Sequence, residues 1–161
     1  MMASHYYPVC PEPERTMGIV PHTDPGVLTI LAQDDIGGLQ VKHTDEDGAS
    51  YWVDAKPLPG ALVINVGDLL QIMSNDKYKS VEHRVVMNLR EEPRVSSAIF
   101  YNPGRRGDSV FYGPLPELIS SENPPKLAAG VSTKEIMSSS CYSGGDGDVN
   151  GGDELTPLRK H

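Results

Sequence analysis

Two histidines and one aspartate are the residues of this sequence best placed to do chemistry together. His22 and Asp24 form a His-x-Asp tripeptide, and His83 follows 61 residues after the first histidine. Two imidazoles and one carboxylate can occupy one face of a six-coordinate metal ion and leave three positions open, which is the ligand set of non-haem Fe(II) oxygenases. The spacing therefore predicts a mononuclear metal site at which both histidines bind as neutral imidazoles.

An arginine and a serine follow the second histidine in a pattern that suits a carboxylate ligand. Arg94 and Ser96 are two residues apart, so on a strand they share one face. A guanidinium binds a carboxylate through two parallel hydrogen bonds, and a nearby hydroxyl adds another. Arg94 could instead pair with Glu91 or Glu92 at the surface, but the apolar strand after it favours burial. The pair predicts a site for a small dicarboxylate beside the metal ion.

Neither histidine motif would be informative alone, because an isolated His-x-Asp is most often structural or a surface pair. His83 lies in an apolar strand pattern between Val81 and Val85, where a buried imidazole requires a partner. The combination favours a metal site. A zinc hydrolase built on the same three ligands is the competing possibility. It leaves Arg94 and Ser96 without a role and offers no evident general base.

Short strands must position these side chains. Apolar or alternating runs between turn sequences predict strands at residues 19–20, 27–31, 39–41, 51–53, 61–66, 81–87 and 94–101. The run at 61–66 is the most apolar and predicts a buried strand, and residues 43–50 predict a polar loop. On a strand, His22 and Asp24 point to the same face, and we expect His83 to face them from another strand across a barrel.

The spacing of the strands predicts the fold class. Strands recur about every ten residues, with proline-rich turns and no long helices, which is typical of a sandwich or barrel. We therefore expect a mainly β protein, a double-stranded β-helix (jelly roll, cupin-like). Short helical turns are predicted at 69–73 and 117–119, and a capping box at Ser132 and Glu135 predicts a helix start.

The end of the sequence differs from the rest. Residues 138–161 contain three consecutive serines and a glycine- and aspartate-rich stretch. Such low-complexity sequence predicts disorder. We therefore expect one jelly-roll domain over residues 1–137 and a disordered tail over residues 138–161.

Composition narrows the possible partners and the compartment. The 161 residues carry 22 acidic and 14 basic side chains, a formal net charge of −8, which argues against nucleic-acid and anionic-membrane partners. The two cysteines, Cys10 and Cys141, are too few for a disulfide framework and are expected to be free thiols. No apolar run approaches 18 residues and no signal peptide is evident. The sequence predicts a soluble, cytoplasmic protein and does not indicate its oligomeric state.

Motifs spread over residues 5 to about 130 carry a resemblance to a known family. The chain resembles the plant 2-oxoglutarate- and Fe(II)-dependent dioxygenases, and among them the branch of aminocyclopropane-carboxylate oxidase homologues. The matching segments are residues 5–13 (HYYPVCPEP), 21–25 (PHTDP), 28–31 (LTIL), 37–41 (GGLQV), 65–68 (NVGD), 74–75 (SN), 79–85 (KSVEHRV), 94–96 (RVS) and 112–114 (YGP).

The resemblance implies a role for each candidate residue. It makes the two histidines and the aspartate the iron ligands. Arg94 and Ser96 would bind the distal carboxylate of 2-oxoglutarate, and Tyr7 would assist that carboxylate. Phe100 occupies the position at which related flavonoid enzymes place an aromatic ring against the substrate, although plain core packing would equally explain it.

The resemblance also implies an activity. Members of the family use O2 to convert 2-oxoglutarate into succinate and CO2 while a second substrate is oxidised, usually by hydroxylation, and ascorbate commonly keeps the iron reduced. A small plant secondary metabolite is the expected substrate. Relatives are about twice as long, and the resemblance is to their C-terminal catalytic portion. The family often has asparagine where this chain has His5. A truncated, non-catalytic remnant or interaction module that keeps the metal-site residues is the alternative.

Overall fold

Short antiparallel strands are the main regular elements of the structure, a computed structural model that describes residues 1–87, 90–103, 111–126 and 131–132. Within these ranges there are ten strands, one short α-helix and two 3-10 turns, the latter at Pro13–Arg15 and Pro116–Leu118. The strands and the helix are β1 (Met2–Tyr7), β2 (Met17–His22), β3 (Leu28–Gln33), β4 (Leu39–Thr44), β5 (Ser50–Asp54), β6 (Val63–Val66), α1 (Asp68–Met73), β7 (His83–Val86), β8 (Arg94–Tyr101), β9 (Phe111–Tyr112) and β10 (Val131–Ser132).

Two four-stranded sheets face each other. The major sheet has the order β1-β8-β3-β6 and the minor sheet the order β2-β7-β4-β5, while β9 and β10 form a separate two-stranded ribbon. Every pairing is antiparallel. Tyr7 of the major sheet packs with Leu39 and Val85 of the minor sheet to form the core between them. This arrangement confirms the predicted mainly β jelly roll.

Most predicted elements lie where the sequence placed them. Strand β8 has the predicted bounds, and α1 forms at the predicted helical turn after β6. A 3-10 turn at Pro116–Leu118 replaces the helical turn predicted at 117–119. The loop predicted at 43–50 is shorter than expected, because β4 continues to Thr44 and β5 begins at Ser50, where the two hydroxyls are 2.8 Å apart.

The prediction of a buried strand at 61–66 was wrong. The strand covers only Val63–Val66 and is an edge strand of the major sheet. The minor sheet covers one face of the major sheet, so alternate residues of β6 point outward. Ile64 is consequently 64% exposed, and Leu62, just before the strand, is 58% exposed.

The outward side of the major sheet carries a row of exposed apolar side chains. Met2 lies opposite Ile99, which lies opposite Ile30, which in turn lies opposite Ile64. We call this surface the outer apolar face; its largest exposed side chains are Met2, Tyr6, Ile64, Val95, Ile99 and Tyr101. It is the side of the sheet remote from the core.

Several expectations concern residues that the structure does not describe. Ser132 belongs to β10, where it pairs with Phe111, but the rest of the predicted helix start and the tail at 138–161, including Cys141, lie outside the described residues. The division into a domain at 1–137 and a disordered tail stays a prediction. No helix within the described ranges has the length and apolar character needed to cross a membrane.

Candidate metal centre

The predicted site residues line one cavity of about 90 Å³ between the two sheets. Inward-facing residues of every strand of the major sheet contribute, together with residues of β2, β4 and β7. The three predicted ligands, Arg94, Ser96, Tyr7 and Phe100 are all among them. The remaining wall is largely aliphatic, so the polar groups converge in an apolar surrounding.

The two histidines lie side by side on neighbouring strands. His22 ends β2, His83 begins β7, and the two are directly opposite each other in the antiparallel ladder. Their ring centroids are 4.3 Å apart. The expectation that His83 faces His22 from across the barrel was wrong. Strand adjacency brings the imidazoles together, and each ring points into the cavity.

A backbone carbonyl orients each imidazole. His22 Nδ1 is 2.8 Å from the carbonyl oxygen of Val20, and His83 Nδ1 is 3.1 Å from that of Val81. A carbonyl oxygen only accepts hydrogen bonds, so Nδ1 carries the proton and Nε2 keeps its lone pair. Burial lowers the pKa of His83, and the bond to Val81 and the charge of Asp24 only partly oppose this effect. The imidazole of His83 is therefore in the neutral form that a metal ion requires.

Asp24 lies just beyond the end of β2, in the turn that leads to β3. Its backbone carbonyl accepts a hydrogen bond from the Asp68 amide at 2.7 Å, and its side chain is buried. Asp24 Oδ1 is 3.8 Å from Nε2 of His22 and 3.8 Å from Nε2 of His83. One donor atom of each of the three residues lies within 4.8 Å of the others. The structure thus brings the three predicted ligands together.

The second oxygen of Asp24 is held by two residues that the sequence analysis did not identify. Thr29 Oγ1 donates to Asp24 Oδ2 at 2.5 Å, and Asn65 Nδ2 donates to the same oxygen at 2.7 Å. The sequence contains a signal for both residues, because Thr29 and Asn65 are polar residues within otherwise apolar strand sequences. A polar side chain facing a core requires a partner.

Arg94 is fully buried at the other side of the cavity, 1% exposed. Its Nη1 donates to Ser96 Oγ at 2.9 Å, and its Nη2 donates to Gln33 Oε1 at 3.0 Å. It also bonds to the Tyr7 side chain, whose ring centroid is 5.0 Å from the guanidinium carbon. Burial lowers the pKa of Arg94, against the opposing effects of Tyr7 and Asp34. Arg94 does not form the alternative surface ion pair with Glu91 or Glu92.

The guanidinium has capacity for a ligand. Arg94 Nε is buried and has no hydrogen-bond partner among the described residues. A buried unsatisfied donor is costly, and an anionic ligand in the cavity beside it would reduce that cost. Gln33, which the sequence analysis missed, holds one edge of the group. The arrangement fits a carboxylate ligand.

Two further cavity residues flank this anion site. His5 on β1 lies opposite Ser96 on β8 and stacks at 6.0 Å on Tyr7. Its pKa is lowered by burial and by the nearby Arg94 and His22. Phe100, on the inward face of β8, also lines the cavity. Both roles considered for Phe100, contact with a substrate and core packing, are compatible with this position.

Residues 1–103 match the sequence model of the 2OG-Fe(II) oxygenase superfamily. The chain belongs to this superfamily. Among curated members, it is 56% identical over 126 residues to 1-aminocyclopropane-1-carboxylate oxidase homolog 11 of Arabidopsis thaliana, covering 78% of this chain and 33% of the relative. Homolog 6 of the same plant is 48% identical over 147 residues, 91% of this chain and 39% of the relative. This 2OG-Fe(II) oxygenase chain thus spans about a third of the length of its curated relatives.

Solved structures of the superfamily share the fold. The structure of JOX2 in complex with 2OG, Fe and JA has a TM-score of 0.74 and 44% identity, covering 86% of this chain and 38% of that chain. The dioxygenase for auxin oxidation in rice has a TM-score of 0.68 and 32% identity, covering 85% of this chain and 44% of that chain. The family predicted from the sequence motifs is confirmed.

Proposed function

We propose that this chain carries the metal and co-substrate site of an Fe(II)- and 2-oxoglutarate-dependent oxygenase. His22, Asp24 and His83 would hold the metal ion through Nε2, Oδ1 and Nε2. The mixed nitrogen and oxygen donor set suits Fe(II) and leaves coordination positions open. Bound Fe(II) supplies the redox chemistry by which O2 converts 2-oxoglutarate into succinate and CO2 and oxidises a second substrate.

The protein side chains bind and orient the co-substrate. The Arg94 guanidinium would neutralise the distal carboxylate of 2-oxoglutarate, while Ser96 and the Tyr7 hydroxyl fix its position. Because the surrounding walls are largely aliphatic, they would strengthen these charge-assisted hydrogen bonds. Gln33 keeps the guanidinium in place while the ligand enters and leaves.

The substrate is proposed at the level of chemical class. JOX2 is described in complex with JA, and the rice enzyme is described as a dioxygenase for auxin oxidation. The cavity here has an aliphatic wall and an aromatic side chain, Phe100. These features support hydroxylation of a small plant secondary metabolite, while a cytoplasmic location and ascorbate as the reductant stay predictions.

One observation carries the proposal: Asp24 Oδ1 is 3.8 Å from the Nε2 atoms of both histidines, in the cavity that also contains a buried arginine. The test is anaerobic addition of Fe(II) and 2-oxoglutarate to the purified chain. We expect one Fe(II) per chain and a weak visible charge-transfer band. The variant His83→Ala should lose both, whereas His43→Ala, which removes an exposed histidine, should retain both. Absence of the band in the wild type, with equal metal content in the two variants, would refute the proposal.

A non-catalytic interaction module is the second candidate, favoured by the outer apolar face. Exposed apolar patches of this kind usually mark contact surfaces, and here Ile64, Ile99 and Tyr101 are 64%, 47% and 65% exposed. If the chain is such a module, we expect it to assemble in a concentration-dependent way in sedimentation experiments and to form no succinate. The variants Ile64→Thr and Ile99→Thr should weaken this assembly. Release of succinate by the isolated chain would exclude it.

A further inference from the structure

The two oxygens of the Asp24 carboxylate have different surroundings. Oδ2 accepts two hydrogen bonds, from Thr29 Oγ1 and Asn65 Nδ2. Oδ1 lies 3.8 Å from each histidine Nε2 and makes no hydrogen bond with a described residue. Because a carboxylate only accepts, the Asn65 amide must present its nitrogen to Oδ2, which fixes the orientation of that amide. One oxygen is therefore occupied by the protein and the other is available.

The two donors form a matched pair built into the major sheet. Thr29 on β3 and Asn65 on β6 are directly opposite each other in the antiparallel ladder, and both point into the cavity. Directly opposed residues have neighbouring side chains, so the ladder itself delivers two donors to one point. Asp24 is in a turn rather than on a strand, so no strand pairing fixes the orientation of its side chain.

We propose that Thr29 and Asn65 are positioning residues that restrict Asp24 to binding a metal ion through Oδ1 alone. The inference rests on the proposed metal site and adds how that site is kept open. A carboxylate that binds through both oxygens takes two coordination positions, whereas one held in this way takes a single position. The saved position stays open for a co-substrate. Neither Thr29 nor Asn65 contacts the ion; both act through Asp24.

The decisive variant removes one donor without changing the side-chain shape. Thr29→Val replaces the hydroxyl by a methyl group, and Thr29→Ser keeps the hydroxyl. Thr44→Val is the matched control, because Thr44 pairs with Ser50 on the exposed part of the minor sheet. Co(II) is the probe, since it takes the same donor set and its visible spectrum reports the coordination number.

We expect Thr29→Val to bind Co(II) about 10- to 100-fold more weakly than the wild type, the usual effect of removing a hydrogen-bond partner of a ligand. The visible spectrum of the bound ion should also change, because Oδ2 then keeps only the bond from Asn65 and becomes more available to the ion. Thr29→Ser should restore both properties, and Thr44→Val should alter neither. Asn65→Leu should repeat the effect of Thr29→Val where it folds.

The outcomes separate this inference from the proposed function. If the wild-type chain fails to bind Co(II), the metal site itself is refuted. If the wild type binds, but Thr29→Val has the wild-type affinity and spectrum, the positioning role is overturned. A Thr29→Val protein that only melts at a lower temperature, with unchanged affinity and spectrum, would show a purely structural role and would overturn it equally.

Discussion

At the scale of single residues, the two imidazoles are pre-oriented by the chain that carries them. Each Nδ1 faces the carbonyl two residues earlier, Val20 for His22 and Val81 for His83. The same local bond therefore occurs twice, and it fixes both the tautomer and the direction of Nε2. Little conformational freedom remains to be lost when a metal ion binds.

The proposed co-substrate site depends on the shape of Arg94 as well as its charge. The guanidinium donates to Ser96 and Gln33 from two different nitrogens, and a single ammonium cannot reproduce this fork. We expect Arg94→Lys to weaken 2-oxoglutarate binding more than tenfold, because each buried charge-assisted hydrogen bond contributes about 1.5–3 kcal/mol. Titration of 2-oxoglutarate into the anaerobic Fe(II) protein measures this effect.

The control for that variant is Arg84→Lys. Arg84 is on the outer side of the minor sheet, where it stacks at 4.2 Å on Trp52 and bonds to Gln40. Arg84→Lys should retain the wild-type affinity for 2-oxoglutarate. If Arg94→Lys and the wild type bound 2-oxoglutarate with comparable affinity, the guanidinium would not be a co-substrate ligand.

The lowered pKa of His83 makes the metal-free protein sensitive to mild acid. Above about pH 6.5, the ordinary histidine value, the imidazole is neutral in both the folded and the unfolded chain. Between that pH and the lower pKa of the folded state, only the unfolded chain takes up the proton, so the free energy of unfolding falls as the pH decreases. His5 has a pKa lowered in the same direction and adds to the slope.

Urea unfolding in the presence of a chelator measures this slope. We expect the midpoint to fall as the pH is lowered from about 7 towards 5, and to fall less steeply in His83→Gln. Thr44→Val provides the control, because it removes an exposed hydroxyl and no titratable group, and it should keep the wild-type slope. If the urea midpoint of His83→Gln and that of the wild type had the same pH dependence, His83 would not be the source of the slope.

Residue types and local spacing predicted which side chains meet, but not all of their partners. His22, His83, Arg94 and Ser96 each followed from a short sequence pattern, and all of them line the cavity. Thr29, Asn65 and Gln33 did not, because their contacts depend on how strands and turns pack together, which joins positions up to 61 residues apart. Nothing in the sequence around Thr29 indicates that it lies opposite Asn65.

At the scale of elements, the position of Asp24 depends on a close contact between two turns. The turn after β2 and the turn after β6 are joined by three backbone hydrogen bonds, from Gly67 to Val27, from Asp68 to Asp24 and from Leu69 to Gly26. The turns approach so closely that a Cβ on Gly67 would lie 2.1 Å from the Gly26 carbonyl oxygen. The start of α1 thereby holds the backbone of the aspartate.

Gly67→Ala should therefore disturb both stability and the metal centre. The backbone of Gly67 has φ −95°, which any residue adopts, so the obstacle is the clash with backbone atoms. We expect a loss of about 1–3 kcal/mol in the free energy of unfolding, accompanied by weaker metal binding. Gly113→Ala, where an added Cβ meets nothing within 4 Å, should change neither. Wild-type stability and metal affinity in Gly67→Ala would contradict the dependence of Asp24 on this contact.

Strands and helices with a clear local sequence pattern were predictable, whereas the pairing of strands within the sheets was not. Strand β8 and helix α1 followed from apolar runs and their boundaries. The adjacency of β2 and β7 did not, because it is a pairing across 61 residues, and it overturned the expected position of His83. Strand β6 was predicted as buried because its composition does not reveal that only one of its faces meets the minor sheet.

At the scale of the whole molecule, the proposed metal site lies between the two sheets. Both histidines belong to the minor sheet, while the carboxylate of Asp24 is held by Thr29 and Asn65 of the major sheet. The core that otherwise joins the sheets is small: its buried members within the described ranges are Tyr7, Leu39 and Val85. An ion bound between the sheets would thus stabilise their packing as well as the local site.

Metal binding should consequently raise the thermal stability of the folded chain. A ligand that binds only the folded state at about 100 times its dissociation constant contributes about 2.7 kcal/mol, which corresponds to roughly 5–10 °C for a domain of this size. We expect this increase with Co(II) relative to a chelator, measured by the loss of the far-ultraviolet circular dichroism signal. Mg²⁺ should give a smaller shift because it prefers oxygen ligands.

The variant His83→Ala separates this effect from non-specific cation binding. It removes one minor-sheet ligand and leaves the acidic surface unchanged, so it should show little stabilisation by Co(II). An equal shift in His83→Ala and the wild type would assign the effect to the −8 net charge. No shift in the wild type at saturating Co(II) would mean that the ion does not hold the sheets together. The two results are distinguishable because binding to the surface charges would weaken with added salt, whereas coordination by buried groups would not.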